Sequence, residues 1–194
     1  MLLAGCDGGA LFQSKPKVQR EALVTQAAVR VAGPEGFCVD TSLSEFGTQT
    51  AFVLFGNCAV IGNSESLTQP KTPAVVTVSV AEGAGGASIA QTSHELARFF
   101  ETESGLGSLS RAGDPNSVEL VESIVANGAV FLRARDTSAG NVAGANDTFW
   151  RGFLDAGSSV VVVSVVSFEE PPGNRDGQLA ILQGFMNEIG GEKR

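Results

Sequence analysis

The chain has 194 residues, enough for one ordinary domain at roughly 150 residues per domain. Hydrophobic residues make up 43% of it, charged residues only 18%, and there are 24 glycines, which excludes a coiled coil or a disordered acidic tail. Thirteen basic against 21 acidic side chains leave a net charge of −8, so a broad phosphate-neutralising surface is excluded and no nucleic-acid partner is expected. The longest apolar stretch, Val160 to Val166, is interrupted by Ser164 and is too short to span a bilayer as a helix.

At the start of the chain, Leu3-Ala4-Gly5-Cys6 resembles the lipobox of bacterial lipoproteins. The small residues before the cysteine let a peptidase approach the backbone. The resemblance implies that Cys6 carries a diacylglycerol thioether, that the chain is cut before it, and that the new amino terminus is acylated. Residues 1–5 then read as the remnant of a signal peptide, whose basic region and apolar run would lie upstream. Residues 6–24 mix Gly, Ser, Lys, Pro and Gln without period and read as a flexible tether. With Cys6 lipidated, the resemblance leaves Cys38 and Cys58 as a pair in a compartment where disulfides persist. The other readings are two buried free thiols in a cytosolic protein, or a metal site lacking both a CxxC and a second histidine.

A single α+β domain is expected over residues 25–191. Ala28 to Ala32 and Gly36 to Asp40 read as short strands around a Gly33-Pro34-Glu35-Gly36 turn. Ala51 to Phe55 reads as a central strand, with Ala59 to Ile61 extending the same sheet, and the alternating Ala74 to Ala81 follows. A helix is expected from Thr92, with Glu95 completing a capping box, Leu96, Phe99 and Phe100 on its apolar face, and Gly105 as its C-cap. Asn127-Gly128 predicts a hairpin between Val118–Ala126 and Ala129–Asp136. A second hairpin is expected around Ala156-Gly157, its arms Thr148 to Asp155 and Ser158 to Phe168. Asn174 or Asp176 caps a last helix whose Leu179, Leu182, Phe185, Met186 and Ile189 share one face, and Gly190-Gly191 stops it. The elements describe an antiparallel sheet packed with two amphipathic helices.

Gly36-Phe37-Cys38-Val39-Asp40, Gly56-Asn57-Cys58, Phe99-Phe100 through Leu109-Ser110-Arg111, and Phe149-Trp150-Arg151 resemble small envelope lipoproteins of alphaproteobacteria, from about Val29 to Ile189. The element order is also similar to the Mog1/PsbP-like α/β/α sandwich. That resemblance implies an adaptor that binds partners and lacks a catalytic centre, and it transfers no active site.

Catalytic motifs are sparse. Gly62-Asn63-Ser64-Glu65-Ser66 lacks the second glycine of a nucleophile elbow, and His94, the single histidine, falls in the first turn of a predicted helix. His94-Glu95 begins like a zinc-protease motif, but Arg98 stands where its second histidine belongs. Gly83, Gly85 and Gly86 lack the Gly-Lys-Ser/Thr ending of a phosphate loop and read as a flexible connection. Glu119, Glu122, Glu169 and Glu170 offer no assignable catalytic pair, and Trp150 with Phe149 and Phe153 reads first as core. Arg133 and Arg135, two apart on a predicted strand, share a face that Arg151 joins from the next hairpin; together they form a candidate cationic face for a carboxylate, an anionic lipid head or a partner, with a solvated sheet face as the plainer reading. The expectation is a non-catalytic envelope lipoprotein, tethered to a membrane through Cys6, facing the periplasm and binding or scaffolding an envelope protein, with no metal and no cofactor. The alternatives are a soluble cytosolic α+β protein or small enzyme with an accidental lipobox, and a small-ligand carrier.

Overall fold

A computed structural model describes residues 18–24, 28–83, 85–138, 144–168 and 175–189. Cys6 and residues 1–5 lie outside the described residues, as do Asn174 and Gly190-Gly191. The fold begins with β1 (Glu21–Val24), which pairs antiparallel with β2 (Val29–Ala32). This strand falls inside the stretch expected as tether, and the reason is local: Val24, Val29 and Val31 are buried in the main core, and Arg30 forms an ion pair with Glu21 across the ribbon. A two-stranded ribbon needs such a surface to be stable.

The main sheet is built from β3 (Phe37–Val39), β4 (Glu45–Phe46), β5 (Thr50–Asn57), β6 (Ala74–Glu82), β7 (Val118–Ala126), β8 (Ala129–Asp136), β9 (Thr148–Ala156) and β10 (Ser159–Ser167). Its order is β3-β5-β6-β10-β9-β8-β7, with β4 also on β5, and every pairing is antiparallel. From β6 the chain crosses to the far edge and returns by meander to β10, which lies against β6. The crossing is made by α2 (Ile89–Phe99) and α3 (Glu103–Leu109), which lie on β7, β8 and β9; α4 (Arg175–Ile189) lies on the opposite face, against β9, β10 and β2. The two amphipathic helices therefore sit on opposite faces of the sheet, and the layers are α/β/α.

Each face has its own core. On the α4 side Phe185 is wedged between Phe37 and Phe55, at ring-centroid distances of 5.4 and 4.9 Å, above the fully buried valines 76, 78, 161, 163 and 165. On the other side Ala97, Phe100 and Leu109 cover Val130, Leu132, Ala134 and Phe149. The Asn127-Gly128 turn forms with φ of 52° and 72°, the positive pair that a two-residue hairpin requires.

Three expected elements change. Ala59 to Ile61 is not strand but part of α1 (Cys58–Ile61), a single turn started by Asn57, whose side chain accepts from Ala59 N at 2.9 Å. The helix expected from Thr92 starts three residues earlier: Ser88 and Gln91 form the capping box, and Thr92 instead donates its hydroxyl to Ser88 O. Gly105 does not cap it, since Phe100 ends α2 and Gly105 is buried inside α3.

Candidate functional site

Register decides where the three arginines go. Arg133 pairs directly with Trp150, so it shares a face with Trp150; Arg151, the next residue, pairs with Leu132 and Ser164 and points the other way. The expected common face of Arg133, Arg135 and Arg151 is thus corrected: the first two lie on the α4 side, the third on the α2–α3 side.

On the α4 side the cations are balanced. Glu122 opposes Arg133 and Glu119 opposes Arg135 across the β7–β8 pair, where a bulge at Val121 restores the pairing. Glu122 also takes two hydrogen bonds from Arg175, one of them from Nε at 2.8 Å, and these bonds hold its carboxyl below the ordinary value of 4.5. Arg175 lies over the Trp150 ring, Cζ 5.8 Å from the centroid. Gln178, one turn along α4, donates to Ser167 Oγ, which also accepts from Asn146 Nδ2 at 2.9 Å. This is a packed polar joint between α4 and the sheet, and sequence reading missed it because Glu122 and Arg175 are 53 residues apart.

On the opposite face, α2 and α3 cover β7 to β9, while among the described residues no helix packs on β5, β6 and β10. The outward residues there, Val160 and Val162 on β10, Val75 and Thr77 on β6, and Phe52 and Leu54 on β5, are half-buried or exposed, whereas their inward neighbours are fully buried. The register sets Arg151, Ser164, Thr77 and Leu54 in one row across four strands. Arg151 donates from Nε to Ser164 Oγ at 3.0 Å, and its guanidinium lies 5.2 Å from the centre of the Phe149 ring. Burial lowers its pKa, with the Asp136 charge acting the other way, yet a guanidinium stays protonated. Among the described residues no carboxylate lies within 4.0 Å of it. Beyond this row the face ends in an open groove of about 500 Å³, lined by Glu45, Phe46, Thr50, Phe52, Ser79 and Ala81.

The other candidates are placed apart from this surface. His94 is exposed on α2. Trp150 and Phe149 are buried in the two cores and Phe153 is half-buried against Phe100, centroids 4.9 Å apart. Cys38 and Cys58 form a disulfide, with Cα atoms 4.8 Å apart, that ties the edge strand β3 to α1. Among the described residues no three His, Cys, Asp or Glu side chains gather where they could hold a metal, and no helix is long and apolar enough to cross a membrane. A tighter recess beside the groove, lined by Val24, Gln49, Thr50 and Ser159, has a volume of only about 90 Å³, well short of the roughly 300 Å³ that small-molecule sites occupy.

No family model matches the chain, and no curated protein does. Two of the solved structures similar in fold are Mog1 proteins. The Saccharomyces cerevisiae Ran-binding protein Mog1p matches with a TM-score of 0.50 at 12% identity, covering 90% of this chain and 97% of that one. A mutant form of protein Mog1 matches at 0.49 and 13%, covering 87% and 93%. The chain has the Mog1/PsbP-like α/β/α fold, the class that its sheet order and its helices on both faces define. At such low identity the likeness establishes the fold alone.

Proposed function

We propose that this protein is a non-catalytic domain of the bacterial cell envelope, tethered to a membrane through Cys6, facing the periplasm, and binding or scaffolding a partner protein. The observation that carries the reading is the Cys38–Cys58 disulfide. A disulfide of this kind belongs to an oxidising compartment, and it uses two of the three cysteines in the chain. The remaining one, Cys6, is the residue that the Leu3-Ala4-Gly5-Cys6 lipobox assigns to the lipid. A multiply acylated cysteine anchors stably where a single chain holds only marginally. Among the described residues no helix packs on β5, β6 and β10 on the α2–α3 face, where Val75, Val160, Val162, Phe52 and Leu54 point outward, and outward apolar side chains among polar ones support the binding role.

The test is detergent phase partition of the protein made from its own locus in its own host. The wild-type chain is expected in the detergent phase and the Cys6→Ser variant in the aqueous phase. Wild-type protein recovered in the aqueous phase, with a mass showing no acylation, rejects the anchor.

A further inference from the structure

We propose that the corner of the domain carrying α1 lies against the bilayer surface, with Val60 at the lipid headgroups. The proposal deepens the anchored reading argued above and rests on it. Where the chain enters the domain selects the occupant. Val18 stands twelve residues after Cys6, which is at most about 40 Å of chain. It comes in beside α1: a Cβ added at Gly62, the residue that ends this turn of helix, would lie 2.8 Å from Val18 Cγ1 and 2.4 Å from Leu67 Cδ1. The next two residues are fixed there as well, since Gln19 O accepts from Val39 N at 2.7 Å and Arg20 O from Gly33 N at 2.8 Å. Register sets the end of β5 and the starts of β3 and β6 at this corner, with Phe37 opposite Asn57 and Phe55 opposite Val76. The other end of the sheet, at the Gly157-Ser158 turn, is roughly 30 Å away along the nine-residue β10. To set that end on the bilayer, the chain from Cys6 would have to run almost fully extended beside the domain, which leaves it few conformations. The α1 corner reaches the surface without that cost.

The surface at this corner fits a bilayer. Val60 is 75% exposed, more than any other large hydrophobic side chain among the described residues. The turn that presents it is held by the Asn57 cap and by the Cys38–Cys58 disulfide. Charge does not oppose the contact. Within residues 18–20, 33–36 and 57–73, Arg20 and Lys71 stand against Glu35 and Glu65, so this corner is formally neutral in a chain of net charge −8. Between Cys6 and Val18, Lys15 and Lys17 outnumber Asp7, which sets cations beside an anionic headgroup layer. The acidic excess lies elsewhere in the chain, and the same layer repels it.

The test uses the full lipidated chain, purified from its own host and reconstituted into vesicles of phosphatidylethanolamine and phosphatidylglycerol with a trace of nickel-chelating lipid. Ser66→Cys, exposed near α1, and Ser158→Cys, exposed at the far end of the sheet, are each labelled with a nitroxide without reductant, so that the disulfide stays closed. With roughly 30 Å of strand between the two positions, nickel at the headgroups is expected to relax the Ser66→Cys label about tenfold more strongly than the Ser158→Cys label. Val60→Glu, which places a charge where the apolar contact was, is expected to weaken the relaxation of the Ser66→Cys label about twofold. Should that variant disturb α1, Val60→Ser removes the apolar contact without a charge and is expected to weaken it to a smaller degree. Equal relaxation of the two labels, stronger relaxation of the Ser158→Cys label, or no effect of either substitution at Val60 overturns the proposal. Flotation separates this failure from a failure of the anchor. Vesicles that float without the protein reject the anchored reading and this proposal together, whereas protein that floats with them and is relaxed equally at both positions rejects the orientation alone.

Discussion

Asp136 shows how much one residue can hold. It is fully buried at the end of β8 and accepts from Arg111 N at 2.8 Å, from Ser138 N at 2.9 Å and from the Ser138 and Ser117 hydroxyls, with Arg111 Nε at 3.5 Å. Burial raises its pKa, and the hydrogen bonds, led by Ser138, more than offset this and hold it below the ordinary 3.8. A carboxyl with a lowered folded-state pKa stabilises the fold fully above its unfolded pKa, and that contribution is lost as the pH falls through the folded value. Urea unfolding is therefore expected to show stability declining below about pH 4. Asp136→Asn should lose about 1–3 kcal/mol at neutral pH and decline less steeply in acid; equal acid slopes for the two proteins would exclude Asp136 as a source. Gly152 makes a second case. A Cβ there would stand 2.4 Å from Met186 Sδ and 3.0 Å from Leu182 Cδ1, so the glycine is where α4 comes down on β9. Gly152→Ala is expected to cost about 1–3 kcal/mol by overpacking. Adding Met186→Ala should cost less in that background than in the wild type, which a double-mutant cycle on urea midpoints measures. At this scale the sequence showed which residues were unusual but not which way they face. Arg151 and Trp150 are adjacent, and the connection before β9 fixes no register, so a one-residue shift in pairing would have exchanged their faces.

Among the elements, α2 illustrates what is local and what is not. Its Ser88-Ile89-Ala90-Gln91 capping box lies within four residues, yet Thr92-Ser93-His94-Glu95 fits the same local pattern, and the sequence reading put the start there. Its other support is distant: the Asp155 carboxylate on β9 accepts from Ile89 N and Ala90 N, both at 3.0 Å, and so fills donors that the helix itself leaves open. Ser88→Ala and Asp155→Ala are each expected to destabilise by about 1–2 kcal/mol. Because both serve the same turn, their effects should be non-additive in chemical denaturation, and strict additivity would mean that the two caps act independently. The hairpin over residues 118–136 was readable to the residue because Asn127 and Gly128 accept positive φ. The Ala59–Ile61 turn was not, because three apolar residues suit a strand or a helix equally and the decision came from the Asn57 side chain.

For the whole molecule, the disulfide fastens an edge. β3 is a three-residue strand held by β5, and the Cys38–Cys58 bond, with a sequence separation of 20, secures it to the turn that follows β5. Replacing both cysteines with alanine is expected to cost about 3 kcal/mol in the chain-entropy picture, or about 6–12 °C in Tm at the slope typical of a domain this size. A thermal melt with the Tm unchanged would show that the bond contributes nothing to the fold. Among the described residues the covering is asymmetric: α4 and the β1–β2 ribbon pack on one face of the sheet, while α2 and α3 pack mainly on β7 to β9 on the other.

The sequence alone settled the α+β class, the two hairpins and the closing helix, while it left Cys38 and Cys58 between a disulfide, free thiols and a metal site until the structure joined them. Each element that it settled follows from residues close together in the chain. Tertiary structure alone decided the strand order, the separation of Arg151 from Arg133 and Arg135, the joint of Glu122 with Arg175, and which strands the described helices cover. Those depend on register and on which layer covers which strand, and both are set by side chains 50 or more residues apart meeting across the core.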